Sequence, residues 1–273
     1  MGSRVWKKTV SRLLRLGVIA SVGFALKADL HASGVPSPYD YFPTKKEADL
    51  AFAAIHGNSS DVAKLISEGA NPDASSKDGI PILGWAYLAH DKSGFKALLD
   101  HHANPEIAIT HRNIPPSVLE LVIETCPGET YWFEQLYDHG ANPNFITDIP
   151  MGQTIIYPAI ILDRDDLVGI LVAHGADVNK RTEILADSPL MASIEGGYRL
   201  KSSLILLKAG ADWTAKKSNG KSFYDFLFIV GGKLEIDRHP PWTEEWIEIV
   251  RWLKAHNAKI PDQLESQFLT LRK

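Results

Sequence analysis

The sequence predicts an all-α fold, a solenoid of about six helix-turn-helix units with projecting turns. Three observations carry this. Six segments align on a shared alanine at Ala70, Ala103, Ala141, Ala176, Ala211 and Ala258, spaced 33, 38, 35, 35 and 47 residues apart, and a fixed period of this size marks stacked repeats. Each alanine follows an amphipathic helical stretch, such as Phe95 to Leu99 or Leu167 to Leu171. The 273 residues are 45% hydrophobic and 23% charged, which excludes a disordered chain, a collagen and a polytopic membrane protein. That length allows one elongated domain or two compact ones, with a sizeable core in either case.

In chain order, residues 1–32 come first. Arg4, Lys7, Lys8, Arg12 and Arg15 precede the apolar run Leu16 to Leu26, which is too short for the roughly 20 residues a spanning helix needs. A basic start, a short apolar run and small residues after it form a secretory signal peptide, with cleavage after Ala25 or Ala32. The competing reading is an amphipathic first helix. Gly17, Gly23 and the lack of acids before Asp29 argue against that reading. No cysteine follows the run to carry a lipid, so the mature protein is expected to be soluble and, in a bacterium, periplasmic. The formal charge of −4 becomes −9 once residues 1–32 are removed, with 23 basic and 32 acidic residues remaining. Such a chain disfavours nucleic acid and steers a basic protein partner inward.

Residues 33–45 form an N-terminal extension, and the repeats run from 46 to 262. Ala48, Leu50, Ala51, Ala54 and Ile55 fit the first helix of an opening cap. The repeated turns read LISEGANPD (65–73), LLDHHANPE (98–106), LYDHGANPN (136–144), LVAHGADVN (171–179), LLKAGADWT (206–214) and LKAHNAKIP (253–261). A glycine before the alanine suits a helix end that turns through positive φ. Pro81 and Pro189 each stand 22 residues before the next alanine and open first helices; Gln153 to Ile156 and Lys221 to Phe223 occupy the same place. The segment 231–242 reads as an insertion between the helices of the last unit, and a second enlarged loop lies around Cys126 to Thr130. Trp246, Ile249, Val250 and Leu253 fit the closing cap, and 263–273 forms a tail helix.

These motifs resemble the ankyrin repeat. Its Thr-Pro-Leu-His opening appears degenerately as IPIL (80–83) and SPLM (188–191), and its ending is best kept as LVAHGADVN (171–179). No unit keeps the full opening, and a different helical-pair solenoid is the alternative. One helix pair cannot bury its apolar face alone, so stacking on both sides supplies the core.

No enzyme constellation emerges. His101, His139, His174 and His256 stand two residues before the turn alanine, but successive repeats sit about 8–10 Å apart, too far to share a metal at ~2 Å bonds. Hydrogen bonding at helix ends explains this column better. Ala215 to Ser222 ends like a phosphate loop yet lacks its first glycine, and reads as the turn into the last repeat. Asp163, Asp165 and Asp166 suit a solvated turn with a helix N-cap. Cys126, the single cysteine, makes no internal disulfide and no cysteine zinc site. No cofactor and no metal is expected.

The resemblance implies that first helices and turn fingers form a concave surface gripping another protein. The matching fingers are 71–80, 104–115, 142–153, 177–188 and 212–221. They carry Lys77, Asp78, Arg112, Asp148, Lys180, Arg181, Glu183, Lys216 and Lys217, and Trp85, Tyr87, Tyr157, Tyr198 and Tyr224 lie on or near first helices. Exposed aromatics and arginine anchor interfaces, although packing is the competing role for each aromatic. The functional expectation is a non-catalytic periplasmic interaction protein, foremost an immunity protein that neutralises a toxic effector. The alternative is a scaffold or protective factor for an enzyme such as an oxidative-stress enzyme.

Overall fold

The structure, a computed structural model, describes residues 37–111, 115–125, 128–147, 153–181, 187–195, 198–217, 219–237 and 240–271. Among the described residues there are fourteen helices and no strands. The chain divides into two compact units, 1–142 and 143–273.

In the first unit, α1 (Pro38–Tyr41) precedes three helix pairs: α2 (Lys45–Ile55) with α3 (Ser59–Ser67), α4 (Ile82–Leu88) with α5 (Lys92–Asp100), and α6 (Val118–Thr125) with α7 (Tyr131–Asp138). The second unit holds α8 (Ile156–Ile161) with α9 (Asp165–Ala173), α10 (Pro189–Glu195) with α11 (Leu200–Lys208), and α12 (Phe223–Asp237) with α13 (Pro240–Ala255). It ends with α14 (Asp262–Leu271). In both units first helices pack on first helices and second helices on second helices, the two-layer stacking that the repeat period predicts.

Local chemistry sets the helix boundaries. The side chains of Thr44, Asn58 and Asp91 cap α2, α3 and α5 by accepting from Glu47, Asp61 and Gly94 N–H, each cap contributing about 1 kcal/mol. The C-terminal turns explain the alanine motif. Ala70, Ala103, Ala141, Ala176, Ala211 and Ala258 each donate their N–H to the carbonyl of the leucine five residues back, at 2.9–3.0 Å. The residue before each alanine donates to the carbonyl three back, from Gly69 to Ile66 through Asn257 to Lys254. This bond pair closes a helix through a left-handed residue. Gly69, Gly140, Gly175 and Gly210 hold that place with φ of 88–92°, while His102 holds it at 66° and Asn257 at 58°.

Beyond Ala70, Ala103, Ala141 and Ala176 a second hydrogen-bond ladder ties one repeat to the next. Asp73 accepts from the Asn104 N–H, and Glu106 from the Asn142 N–H. In the second unit Asn144 accepts from Asp177 N–H at 2.7 Å and Asn179 from Asp212 N–H at 2.8 Å. The acceptor is the last residue of Ala-Asn-Pro-Asp and its equivalents, three places after the alanine, so the motif encodes both the turn and its attachment to the neighbouring repeat.

The opening-cap residues Ala48, Leu50, Ala51, Ala54 and Ile55 are buried, as are Trp246, Ile249, Val250 and Leu253 of the closing cap. The first unit centres on Trp132, edge-on to Phe95 and Tyr87 at ring separations of 5.1 and 5.4 Å. Such pairs add about 0.5–1.5 kcal/mol beyond burial. Gly94 lets α5 approach α2 closely, because a Cβ there would lie 1.8 Å from the Ala54 carbonyl oxygen.

The segment expected as an insertion at 231–242 is helical through Asp237. Helix α12 runs unbroken to Asp237, through Gly231 and Gly232. Helix α14 packs along it, and a Cβ on Gly231 would fall 2.8 Å from the Trp246 ring. Gly231 thus admits the neighbouring side chains of Trp246 and Gln267. The tail helix starts at Asp262, one residue before the expected segment.

Candidate partner-binding face

Four of the fingers share one backbone design among the described residues. Antiparallel bridges pair Ser75 with Pro81, Ala108 with Ser117, Ile146 with Thr154 and Lys216 with Ser222. In the first unit, adjacent fingers join where the Thr110 N–H donates to Gly79 O at 2.9 Å. The Ala215 to Ser222 segment is such a finger: Gly220 turns at φ 80° into α12, as expected.

The first unit fills its own inner face. All of α4 is buried, and Trp85 lies edge-on to Tyr41 and Phe42 at 5.4 and 5.5 Å. The Lys77 N–H donates to Tyr41 O at 2.8 Å and its Nζ to Asp40 O at 3.3 Å. The segment that includes α1 therefore covers the first finger and the helix behind it. Helix α6 adds a buried acid, Glu120, and a half-buried one, Glu124. Ser117 and Glu120 bond reciprocally, hydroxyl to carboxylate and N–H to hydroxyl. Burial raises the Glu124 carboxyl to about 7, with the neighbouring Glu120 charge adding to the rise.

The sequence-derived contact residues divide accordingly. Trp85, Tyr87 and Tyr157 are corrected to core residues, 6%, 4% and 2% exposed. The Tyr87 hydroxyl meets Thr125 Oγ1 at 2.8 Å, and the Tyr157 hydroxyl donates to Lys180 O and Asp187 O, pinning a finger to α8. Lys217 is corrected as well. Its ammonium points inward to Asp187 at 2.9 Å and to Glu195. Burial works to lower the Lys217 pKa, but the bonds to Glu195 and Asp187 outweigh it and leave it raised. Burial also raises the Asp187 carboxyl, against the pull of Lys217.

Lys77, Asp78, Lys180, Arg181 and Lys216 are exposed on fingers. Tyr198 is half-buried, edge-on to Trp242 with Lys233 Nζ 5.2 Å from its ring. Tyr224 is half-buried, its hydroxyl bonded to Trp213. Arg112, Asp148, Glu183 and Cys126 lie outside the described residues, as does the leader. Sequence reasoning passed over Ile146, which is 49% exposed, and Lys221. Position within the finger was the signal for Ile146, five residues beyond the turn alanine, the same place as Arg181 and Lys216.

The histidine column behaves as expected at two positions. His139 and His256 meet the carbonyls of Gln135 and Trp252 at 2.7 and 2.8 Å, and His139 also reaches Asp100 at 3.0 Å. His102, His139 and Asp100 line an open depression whose other lining residues are Leu99, Ala103, Asn104 and Pro105. The N-cap expected among Asp163, Asp165 and Asp166 is Arg164 instead, and Asp165 and Asp166 occupy the first turn of α9. Among the described residues no group of three or more His, Cys, Asp or Glu is placed to hold a metal ion, and no helix is long and apolar enough to cross a membrane.

The charge is unevenly divided. Residues 33–142 carry 15 acidic and 7 basic side chains, a net −8, whereas 143–273 carry 17 and 16, a net −1.

No family model matches the chain. A 95-residue stretch is 39% identical to human ankyrin repeat and SOCS box protein 6, covering 35% of this chain and 22% of that protein. The mouse protein of the same name is 39% identical over 87 residues, 32% of this chain and 21% of its own length. The chain thus spans about a fifth of these curated relatives. Among solved structures, an ankyrin repeat domain from Acinetobacter baumannii aligns with a TM-score of 0.55 at 20% identity, over 77% of this chain and 98% of that domain. A second ankyrin repeat protein aligns at 0.52 and 21% identity, over 69% and 94%. With the six matching turns, these likenesses establish the ankyrin-repeat fold, in general a non-catalytic module for binding other proteins.

Proposed function

We propose that this chain is a periplasmic immunity protein, which binds a toxic effector protein through its repeats and blocks it without catalysis. The observation that carries the reading is the set of exposed finger residues in the second unit, Ile146, Lys180, Arg181 and Lys216, on turns tied to one another by the hydrogen-bond ladder. Rigid scaffolds that present variable loops are suited to recognition. The basic and then apolar pattern of residues 4–26 supports export. The acidity that favoured a basic partner is concentrated in residues 33–142, so the charge of the contact region is read from the fingers themselves.

The test is to isolate the tagged chain from periplasmic extract, identify the protein it retains, and export that protein with and without the chain. Growth arrest by the retained protein alone, relieved when the chain is present, is the expected result. A harmless enzyme that becomes more active in the complex would replace the immunity role with the scaffold role.

A further inference from the structure

We propose that His139 is a proton-controlled tie between the second and third helix pairs of the first unit: the charged ring binds Asp100 at the end of α5, and the neutral ring releases it. The inference goes beyond partner binding and stands whatever protein the repeats hold.

The geometry asks for a charged ring. His139 stands at the C-cap of α7, with Nδ1 2.7 Å from Gln135 O and Nε2 3.0 Å from Asp100 Oδ1. A neutral imidazole has one N–H to donate, and its other nitrogen is an acceptor. Here both nitrogens face acceptors, a carbonyl and a carboxylate, and only the imidazolium donates to both. A positive charge also suits the C-terminal end of a helix, where the last carbonyls carry negative partial charge. The His139 side chain is 20% exposed and that of Asp100 43%, so protons reach the pair from solvent.

The surrounding charges make the ring the member that switches. Lys96 Nζ donates to both Asp100 oxygens, at 2.6 and 2.8 Å. These bonds, with a smaller contribution from His139, hold the Asp100 carboxyl below the usual carboxylate range. Asp100 is therefore ionised where histidine changes charge. His102, on the turn after α5, lines the same depression, and a charge there would oppose one on His139. Glu106, beyond that turn, accepts from the Asn142 N–H. On α6, Glu120 accepts from Ser117 and Glu124 has its carboxyl raised to about 7 by burial. The acids of α7 itself are Glu134 and Asp138.

Other ties join the same two helix pairs. The Tyr87 hydroxyl meets Thr125 Oγ1, the Tyr131 hydroxyl donates to Lys92 O at 3.3 Å, and Lys92 pairs with Glu129. Groups of these types ordinarily keep their charge between about pH 5 and 8, whereas histidine does not. The His139 contribution to stability is thus present where the ring is charged and lost as pH rises and the ring becomes neutral.

The test is a double-mutant cycle in the full chain: wild type, His139→Gln, Asp100→Asn and both together. Each is unfolded in urea at about pH 5.5 and about pH 8.5, on either side of the range in which histidine changes charge. The cycle isolates the pair, and Glu124, common to all four chains, cancels. At the lower pH the coupling should be about two- to fivefold in the unfolding equilibrium constant, the size of an exposed ion pair. At the higher pH it should vanish. Asp100→Ala in place of Asp100→Asn should give the same pH dependence. Coupling that is equal at the two pH values, greater at the higher one, or absent at both would overturn the proposal.

Discussion

The two units share one turn and differ in what they do with it. Each closes its second helices through the same pair of carbonyl bonds and ties successive repeats with the same carboxylate or amide ladder. The first unit then uses its inner face for itself: Trp85 is covered by Tyr41 and Phe42, α4 is wholly buried, and Lys77 holds the backbone of residues 40 and 41. In the second unit the exposed finger positions carry Ile146, Arg181 and Lys216, and the inner helix α12 exposes Phe228 and Ile229, 38% and 46% accessible. A repeat scaffold thus separates stability from recognition, since the turn fixes the backbone while the residue five places later is free to vary.

The largest predicted difference comes from Lys217. In Lys217→Met the buried Asp187 loses its ion partner, and a buried pair broken on one side costs about 3 kcal/mol. The loss should appear in denaturant unfolding and as faster amide exchange in residues 156–208, while residues 45–100 keep wild-type protection. A change below about 1 kcal/mol would show that the interior ion cluster contributes little.

The next effect belongs to the first unit. Glu124 has a folded pKa raised to about 7 from 4.5, so between these values the folded state binds more protons than the unfolded one. Stability is fully present below the unfolded value, falls as pH rises through the folded value, and levels off above it. The first unit should lose about 2 kcal/mol between pH 5 and pH 8, and Glu124→Gln should flatten that dependence. A profile in Glu124→Gln identical to wild type would assign the dependence to other groups.

The smallest effect is a gain. His102 occupies at φ 66° a place where four other repeats use glycine, and a left-handed residue with a Cβ costs about 1–2 kcal/mol. After the greater chain entropy of glycine is deducted, His102→Gly should stabilise the first unit by about 0.5–1 kcal/mol in thermal unfolding. A lower melting temperature would mean that the His102 side chain makes contacts worth more than the strain.

The repeats were legible because their turns make severe demands. A left-handed residue, a small buried alanine and a polar acceptor three places on leave few residue choices, so they survive as a pattern. The binding face was less legible. Trp85, Tyr87 and Tyr157 have the composition of interface anchors, but burial depends on what packs across them, and for Trp85 that cover comes from residues more than forty positions away. Lys217 lies beside Lys216 in a finger, yet one points to α10 and the other to solvent. Gly231-Gly232 reads locally as a break, but the packing of α14 and Trp246 overrides that preference. The leader, Arg112, Asp148 and Cys126 lie outside the described residues, so those expectations rest on the sequence.

The most direct test of the division between the units is amide hydrogen exchange with and without the protein that the chain retains from periplasmic extract. The account predicts added protection at residues 145–147, 180–181 and 215–222, with residues 75–79 and 107–111 unchanged. Protection confined to the first-unit fingers, with none added in the second, would contradict it.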